Sequence, residues 1–252
     1  MEHALQKLLF RNNVQLSDVC EGQMNMAMVE LTLSDFEMKR LEACLLPTVN
    51  STSPVEDIAN ALDLCTPNYI ETVPWTSYPY KPEVSFVIAH DNQRILIKYY
   101  VKEHAIRAAY ANANEPVYKD SCVEFFVAFD EDKSYYNFEF NCIGTCLSAF
   151  GDCIDNRMFL SKETIDKIKY HVVLKKDEEA NSHNFNWELT LVIPLDVFTY
   201  HQLHSLKGIS CNSNFFKCGD NLPEPHYLSW SPIKAPFPNF HLPQFFGKVH
   251  FV

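Results

Sequence analysis

The segment from Val117 to Cys142 constrains the fold most, because it encodes two alternating strands joined by a polar turn at residues 130–133. Apolar side chains recur at every second position of both strands, as a half-buried β-hairpin requires. One register buries the two apolar faces together: Val123 then faces Phe140, and Phe125 faces Phe138. A shift by one residue would set phenylalanines against asparagines. The sequence therefore predicts this hairpin and its register.

The same register places polar side chains together on the other face of the hairpin. Glu124 lies opposite Glu139, and Tyr135, Asn137 and Asn141 lie nearby. Carboxylates and amides can accept and donate hydrogen bonds to the hydroxyl groups of a polyhydroxylated ligand. The alternative is a solvated outer face, which antiparallel sheets commonly have.

Composition excludes several classes of partner. The 252 residues are 47% hydrophobic, enough for a substantial core, and carry a net charge of −11 without a Lys/Arg-rich run. This argues against nucleic acid or an anionic membrane as the main partner. The longest apolar runs have the length of a strand, well below the roughly 20 residues of a transmembrane helix. The oligomeric state is left open.

Cysteine usage and the N-terminus bear on the compartment. The nine cysteines are odd in number and form no CxxC pair, so we expect them to be mostly reduced. The first residues lack the basic start, apolar core and cleavage site of a signal peptide. We therefore expect a cytoplasmic protein, or a secreted or periplasmic one if translation begins elsewhere.

The order of elements predicts an all-β fold, an antiparallel, jelly-roll-like β-sandwich with a few short helices. Residues 1–37 have weak helical spacing and are interpreted as an extension, and residues 38–252 as the sandwich. Ser53 and Ser161 are expected to cap short helices, and a third helical piece is expected over 103–109. The Pro-rich segment 232–243 is interpreted as an ordered loop over one end of the sandwich, or as a mobile lid.

Several blocks carry a resemblance to a known family. They are the hairpin, the segment from Trp75 to His90, the strand W-E-L-T-L-V-I-P-L, and the blocks N-F-F-K-C-G-D and L-S-W-S-P-I. Together they resemble family 9 carbohydrate-binding modules, in the stand-alone form common in gut Bacteroides, which are DOMON-like β-sandwiches. The resemblance extends from about residue 38 to the end and implies a protein that binds a mono- or oligosaccharide, at its reducing end, without cleaving it.

The resemblance also implies site residues. In that family an aromatic residue precedes the strand glutamate by six positions, and a second aromatic near the C-terminal strands closes a slot for a sugar ring. The matching positions are Tyr118, where the family usually has tryptophan, and Glu124. Trp230 is the first candidate for the second wall. Trp187 is the second, although its place among apolar strand residues favours a position in the core.

Four further residues complete the predicted ligand-binding set. Glu139 and Asn141 share the polar face with Glu124. Arg107 is expected either to contact sugar oxygens or to form a structural salt bridge, with Glu124 as the partner considered. Lys217 is expected either to line the slot or to be solvated.

The sequence also allows hydrolysis or protein–protein interaction as the function. A glycosidase needs two carboxylates about 5 Å or about 6.5–9.5 Å apart, and Glu124 and Glu139 could approach the shorter distance. A flat sheet face would, however, give little burial to raise the pKa of either group. A sandwich that has lost sugar binding and serves protein–protein interaction is a different class.

Cofactor chemistry has little support in the sequence. Haem would need axial ligands such as His90, His226, His241 or Met158. No cofactor is expected. A structural calcium at the acidic segment 130–132 is the one metal considered, and no catalytic residue or metal ligand is assigned.

Overall fold

The computed structural model describes residues 38–129, 133–176 and 184–252. Residues 38–252 form one compact unit. The predicted extension over 1–37 and the acidic turn at 130–132, including the calcium expected there, lie outside the described residues.

The described residues form thirteen strands and two short α-helices. The helices are α1 (Val55–Leu62) and α2 (Lys162–Ile165). The strands are β1 (Arg40–Leu45), β2 (Asn68–Tyr69), β3 (Glu83–His90), β4 (Arg94–Glu103), β5 (Cys122–Ala128), β6 (Tyr135–Asn141), β7 (Cys146–Gly151), β8 (Arg157–Phe159), β9 (Lys169–Lys176), β10 (Phe185–Pro194), β11 (Ser210–Cys218), β12 (Tyr227–Ser229) and β13 (Gly247–Phe251).

The strands form two sheets that share β1. The first sheet has the order β8-β7-β6-β5-β11-β13-β1, with β12 beside β11, and the second has the order β1-β3-β4-β10-β9, with β2 beside β3. Residues 40–43 pair in parallel with β13, whereas Cys44 and Leu45 pair in parallel with β3. The β-sandwich is therefore confirmed, with one correction: the sheet is mixed, because β1 runs parallel to both of its neighbours.

The main core contains residues of both sheets. Phe125 and Phe215 of the first sheet stack with centroids 5.2 Å apart, and Phe215 stacks on Phe86 of the second sheet at 3.8 Å. Each ring is buried, and buried aromatic pairs contribute roughly 0.5–1.5 kcal/mol beyond the area they remove from water. Trp187 lies in this core as predicted, with Nε1 donating to Glu103 Oε1 at 2.7 Å.

The hairpin has the predicted register. Val123 pairs with Phe140, Phe125 with Phe138, and Glu124 with Glu139. The apolar partners face the core between the sheets, so Glu124 and Glu139 lie on the opposite, outer face of the first sheet.

Two helix predictions needed correction. Helix α1 starts at Val55 after Pro54 and has no side-chain cap, since Ser53 Oγ instead accepts from Asn50 N. Segment 104–116 contains no helix. Ser161 does cap α2, accepting from Thr164 N at 3.2 Å.

The outer faces of both sheets are covered. Helix α1 places Ile58 and Leu62 on the second sheet. The Pro-rich loop, residues 232–243, packs on the outer face of the first sheet rather than over an end of the sandwich. In the described ranges no helix is long and apolar enough to cross a membrane. The face that carries Glu124 and Glu139 is therefore a partly covered cleft.

Candidate functional site

A cleft of about 500 Å³ opens between the outer face of the first sheet and the Pro-rich loop. Its floor is formed by Glu124 of β5, Glu139 of β6 and Cys218 of β11. Its walls are formed, in chain order, by Tyr118, Ile154, Arg157, Asp220, Tyr227 and residues 237–241. The volume falls in the range of small-molecule sites.

Tyr118 is held at the cleft by the segment that leads into β5. It lies in a 3₁₀ turn, Val117–Lys119. The next residue, Asp120, is fully buried, and its Oδ2 accepts from Ala109 N, Tyr110 N and Asn141 Nδ2 at 3.0–3.1 Å. Tyr118 O also accepts from Asp220 N at 3.2 Å. The wall is therefore tied to both the hairpin and the β11–β12 loop.

The Pro-rich loop is anchored by aromatic contacts. Phe240 stacks on Phe216 of the sheet, with centroids 4.2 Å apart and planes inclined by 9°. Trp75 packs on Phe240 and donates from Nε1 to Ala235 O at 2.8 Å. At the tip of the loop Phe237 is 77% exposed beside the cleft. The loop thus presents an apolar surface opposite the carboxyl groups.

Glu124 and Glu139 are nearly inaccessible, 3% and 2% exposed. Burial, and then the proximity of Glu139, raises the pKa of Glu124 well above its usual range. Burial raises the pKa of Glu139 to about 7, although Arg157 acts in the opposite direction. Each carboxyl can therefore hold a proton near neutral pH and act as a hydrogen-bond donor as well as an acceptor.

Arg157, His241 and Tyr135 form one hydrogen-bonded chain at the side of the floor. Arg157 Nη1 lies 3.4 Å from Glu139 Oε1 and 3.2 Å from His241 Nε2, and His241 Nδ1 lies 2.8 Å from the Tyr135 hydroxyl. A guanidinium can only donate, so His241 Nε2 accepts and Nδ1 carries the proton. Burial and Arg157 lower the pKa of His241 to about 3, which agrees with a neutral ring.

Asp220 adds a third carboxyl group to the cleft. It follows β11 and lies beside Tyr227, which hydrogen-bonds to it. Burial raises the pKa of Asp220 to about 6.

On the outer face of the hairpin, two buried acceptors have no hydrogen-bond partner within the described parts of the chain. They are Glu139 Oε2 and Asn137 Oδ1, although Asn137 Nδ2 donates to Glu139 Oε1 at 2.9 Å. Buried polar atoms are rarely left unpaired, because desolvation costs about 1–3 kcal/mol per group. A ligand that brings hydrogen-bond donors to the floor would satisfy Glu139.

Comparison with known proteins identifies the family. The sequence matches the family described as Carbohydrate-binding family 9 over residues 58–251. The chain belongs to carbohydrate-binding family 9. This confirms the resemblance drawn from the sequence. The curated proteins include no significant match.

Solved structures agree with this assignment. A candidate carbohydrate-binding protein of Bacteroides uniformis ATCC 8492 is 38% identical with a TM-score of 0.78, and the match covers 86% of this chain and all of that one. A family 9 module of Caldicellulosiruptor kristjanssonii in complex with glucose is 12% identical (TM-score 0.55), with 85% and 96% of the two chains covered. A family 9 module of the same organism in complex with cellotriose is 13% identical (TM-score 0.53), with 84% and 93% of the two chains covered. At 12% and 13% identity, these two complexes show only that the fold is shared.

Three of the predicted site residues of this family 9 chain lie together. Tyr118, Glu124 and Glu139 all line the cleft. The remaining four do not line it, and each is occupied elsewhere.

Trp230 and Lys217 lie inside the sandwich, not in the slot. Trp230 is buried in the main core, edge-on to Phe86 and Phe215. Lys217 is fully buried, and its Nζ is 2.9 Å from Glu103 Oε2 and 2.8 Å from His226 Nε2. Trp230 follows the short strand β12, and Lys217 lies on the face of β11 that points toward the second sheet, where Glu103 pairs with it.

Asn141 and Arg107 support the cleft from a distance. Asn141 Nδ2 donates to Tyr110 O and to Asp120, and its Oδ1 accepts from Ile143 N and Thr145 N. Arg107 forms the structural salt bridge considered from the sequence, with Asp120 at 3.3 Å rather than with Glu124. Neither side chain lines the cleft.

Sequence reasoning missed several lining residues. Asp220 is the last residue of the block N-F-F-K-C-G-D that carried the resemblance, so that block could have indicated it. Phe237 and His241 lie in the loop that was interpreted as a cover or lid. No sequence pattern indicated Arg157, because it is a single cation on the three-residue strand β8.

The metal and haem alternatives can be placed in the structure. Among the described residues one group has metal-ligating atoms within 4.8 Å of one another: Cys122, Glu124 and Cys218. Cys218 Sγ donates to Glu124 Oε1 at 3.1 Å.

The histidines considered for haem have protein partners. His90 Nε2 lies 2.8 Å from Val252 O, and His226 and His241 contact Lys217 and Arg157. Met158, 57% exposed, lies on β8.

Proposed function

We propose that this family 9 protein binds a mono- or oligosaccharide in the cleft and does not cleave it. The observation that carries the proposal is the pairing of a buried polar floor, Glu124 and Glu139, with aromatic walls, Tyr118 and Phe237. Sugar rings present C–H groups to aromatic faces while their hydroxyls bond to polar groups. The glucose and cellotriose complexes of structures that share the fold support the same ligand class.

In this proposal the second aromatic wall comes from the Pro-rich loop. Phe237 is exposed beside the cleft, whereas Trp230 is in the core. Tyr118 is half-buried and lines the same cleft. The two rings would hold the ligand, and Glu124, Glu139 and Arg157 would bond to its hydroxyls.

Isothermal titration against a panel of mono- and oligosaccharides tests the proposal. We expect saturable binding that is lost, or weakened at least about tenfold, in Tyr118→Ala and Glu124→Gln, since the first removes an aromatic wall and the second removes a carboxyl group from the floor. Tyr69→Ala and Glu83→Gln are matched controls, because both residues are exposed on the second sheet. No binding by the folded protein would instead favour an interaction module.

The finer proposal, recognition of a reducing end, needs its own comparison. The resemblance implies it, and a floor covered by a loop favours a terminal ring over the middle of a polysaccharide. Cellobiose and its borohydride-reduced form differ in this end. Binding of cellobiose but not of the reduced form supports end recognition. Equal binding would contradict it.

Hydrolysis is the alternative that the structure bears on most directly. The expectation that a flat face would give little burial to raise the pKa of either carboxyl was wrong, because both side chains are nearly inaccessible and burial raises the pKa of each. We nevertheless propose binding only, since the family is one of binding modules. Incubation of cellotriose with stoichiometric protein should leave it intact. Release of glucose that Glu139→Gln abolishes would overturn this part of the proposal.

A further inference from the structure

We propose that the cleft selects sugars that carry a free, protonated amine over neutral sugars of the same shape. This inference rests on the proposed sugar-binding function and names the ligand class of the same site. The ligand class is a 2-amino-2-deoxyhexose or an oligosaccharide that ends in one.

The charge balance of the cleft is the first step. Three carboxyl groups line it, Glu124, Glu139 and Asp220, against one guanidinium, Arg157. The remaining basic group, His241, is neutral, because Arg157 donates to its Nε2. If all three carboxyls ionise, the negative charges of the lining exceed its positive charges by two. A cationic ligand would balance this excess.

Arg157 is already engaged, and it contacts Glu139 alone among the three acids. Its Nη1 is 3.4 Å from Glu139 Oε1 and 3.2 Å from His241 Nε2. In the described ranges no salt bridge within 4.0 Å reaches Glu124 or Asp220. Glu124 Oε1 instead accepts a hydrogen bond from the Cys218 thiol, a weak donor, at 3.1 Å.

The geometry suits a donor with several hydrogens. Glu124 and Glu139 are direct cross-strand partners on one face, so their Cβ atoms are about 4.5–5.5 Å apart. Glu139 Oε2 is buried without a hydrogen-bond partner in the described structure. An ammonium offers three N–H donors and can reach both carboxylates at once, whereas a hydroxyl offers one.

Other titratable or charged groups face the same floor. They are Tyr118, Arg157, Cys218, Tyr227 and His241. Lys119 does not line the cleft but acts on Asp220 through its charge. Lys119 lowers and burial raises the pKa of Asp220, with burial dominant. Glu139 and Asp220 are therefore the carboxyls of the lining whose charge changes as the pH falls from 7 to 5.

Titration calorimetry with glucosamine, glucose and N-acetylglucosamine tests the inference. At pH 7 we expect glucosamine to bind about tenfold more tightly than glucose, as a charge-assisted hydrogen bond allows. N-acetylglucosamine, which lacks the charge, should not share this gain. Repeating the titration in buffers of different ionisation enthalpy should reveal protons released as the carboxyls ionise around the amine.

The preference should also depend on pH. Below the raised pKa values of Glu139 and Asp220 the acids are neutral and lose their attraction for an ammonium. We expect the ratio of glucosamine to glucose affinity to fall several-fold, roughly to threefold or less, between pH 7 and pH 5.

An isosteric variant separates charge from shape. In Glu139→Gln the affinity ratio should collapse to about one, whatever the effect on absolute affinity, because one of the opposed charges is gone. Glu83→Gln, on the second sheet, should keep the ratio. Circular dichroism confirms that both variants are folded.

The outcomes distinguish the inference from the proposed function. If glucose and glucosamine bind equally, the inference is wrong and sugar binding stands. If no sugar binds, both are wrong. A preference that disappears on addition of EDTA would assign the charge to a bound metal ion and would also overturn the inference.

Discussion

Lys217 and Glu103 show how strongly a single buried charge can depend on its partner. Their side chains are inaccessible, and Nζ lies 2.9 Å from Oε2. Lys217→Met would leave Glu103 charged inside the sandwich, so we expect unfolding free energy to fall by about 3–5 kcal/mol. Urea unfolding measures this. The exposed pair Lys162–Asp166 provides the control, since Lys162→Met should change stability by less than about 0.5 kcal/mol. If Lys217→Met lowered the free energy of unfolding as little as Lys162→Met, Lys217 and Glu103 would not form a buried ion pair.

Glu139 should make stability depend on pH. Its pKa is about 7 in the folded protein, above the usual 4.5. The folded state therefore binds the proton more tightly, and the stability this adds below pH 4.5 is lost as pH rises through 7. His226 and His241, whose pKa values are lowered to about 3, oppose this below pH 6.5.

The difference between wild type and Glu139→Gln removes the contribution of the histidines, which are common to both, and reports Glu139 together with the rise that it causes in the pKa of Glu124. Relative to the variant, the wild type should lose unfolding free energy between pH 5 and pH 8. Denaturant unfolding at several pH values measures it. A difference that does not change with pH would show that Glu139 titrates normally.

Individual side chains were predictable where the apolar pattern of a strand distinguishes its two faces. Glu124 and Glu139 could be placed opposite each other because a slip would bury asparagine against phenylalanine. Trp230 could not be placed, since it follows the three-residue strand β12 and both faces of that sheet are buried. Lys217 was unpredictable for a different reason: its partner, Glu103, comes from the second sheet.

At the scale of elements, Asp120 links three segments around Tyr118. Its carboxylate accepts from two backbone N–H groups and from Asn141, and pairs with Arg107. In Asp120→Asn the side-chain NH2 group would face N–H groups that now donate to the carboxylate. The lost hydrogen bonds should lower the free energy of unfolding by about 1–3 kcal/mol. Sugar affinity should also fall, although Asp120 does not line the cleft.

Chemical unfolding and calorimetry of Asp120→Asn measure both effects. Asp166→Asn, in an exposed ion pair, is the matched control and should change neither. Retention of full sugar affinity by a destabilised Asp120→Asn protein would show that Tyr118 does not need this anchor.

The elements themselves followed from the sequence where a pattern was long. The hairpin and β10 showed period-two alternation over many residues, and both formed as predicted. The helix expected over 103–109 did not form, because β4 extends through Glu103 and the following backbone bonds to Ser121 and Asp120 instead. Long-range partners of this kind leave no local pattern.

At the scale of the whole molecule, β1 connects the two layers. Its first four residues pair with β13 and its last two with β3, so it is the strand common to both sheets. The sequence-based proposal that the sandwich begins at about residue 38 can therefore be tested together with the role of β1.

A chain that starts at Met38 should unfold at the same urea midpoint as the full-length protein, because it retains β1. A chain that starts at Leu46 lacks β1, and we expect it to lose cooperative unfolding, since the edges of β13 and β3 become unpaired and Ala43 no longer contributes to the core. Circular dichroism and urea unfolding of both chains provide the measurement. A lower midpoint for the chain from Met38 would place residues 1–37 within the fold, whereas cooperative unfolding of the chain from Leu46 would show that the two sheets hold together without their shared strand.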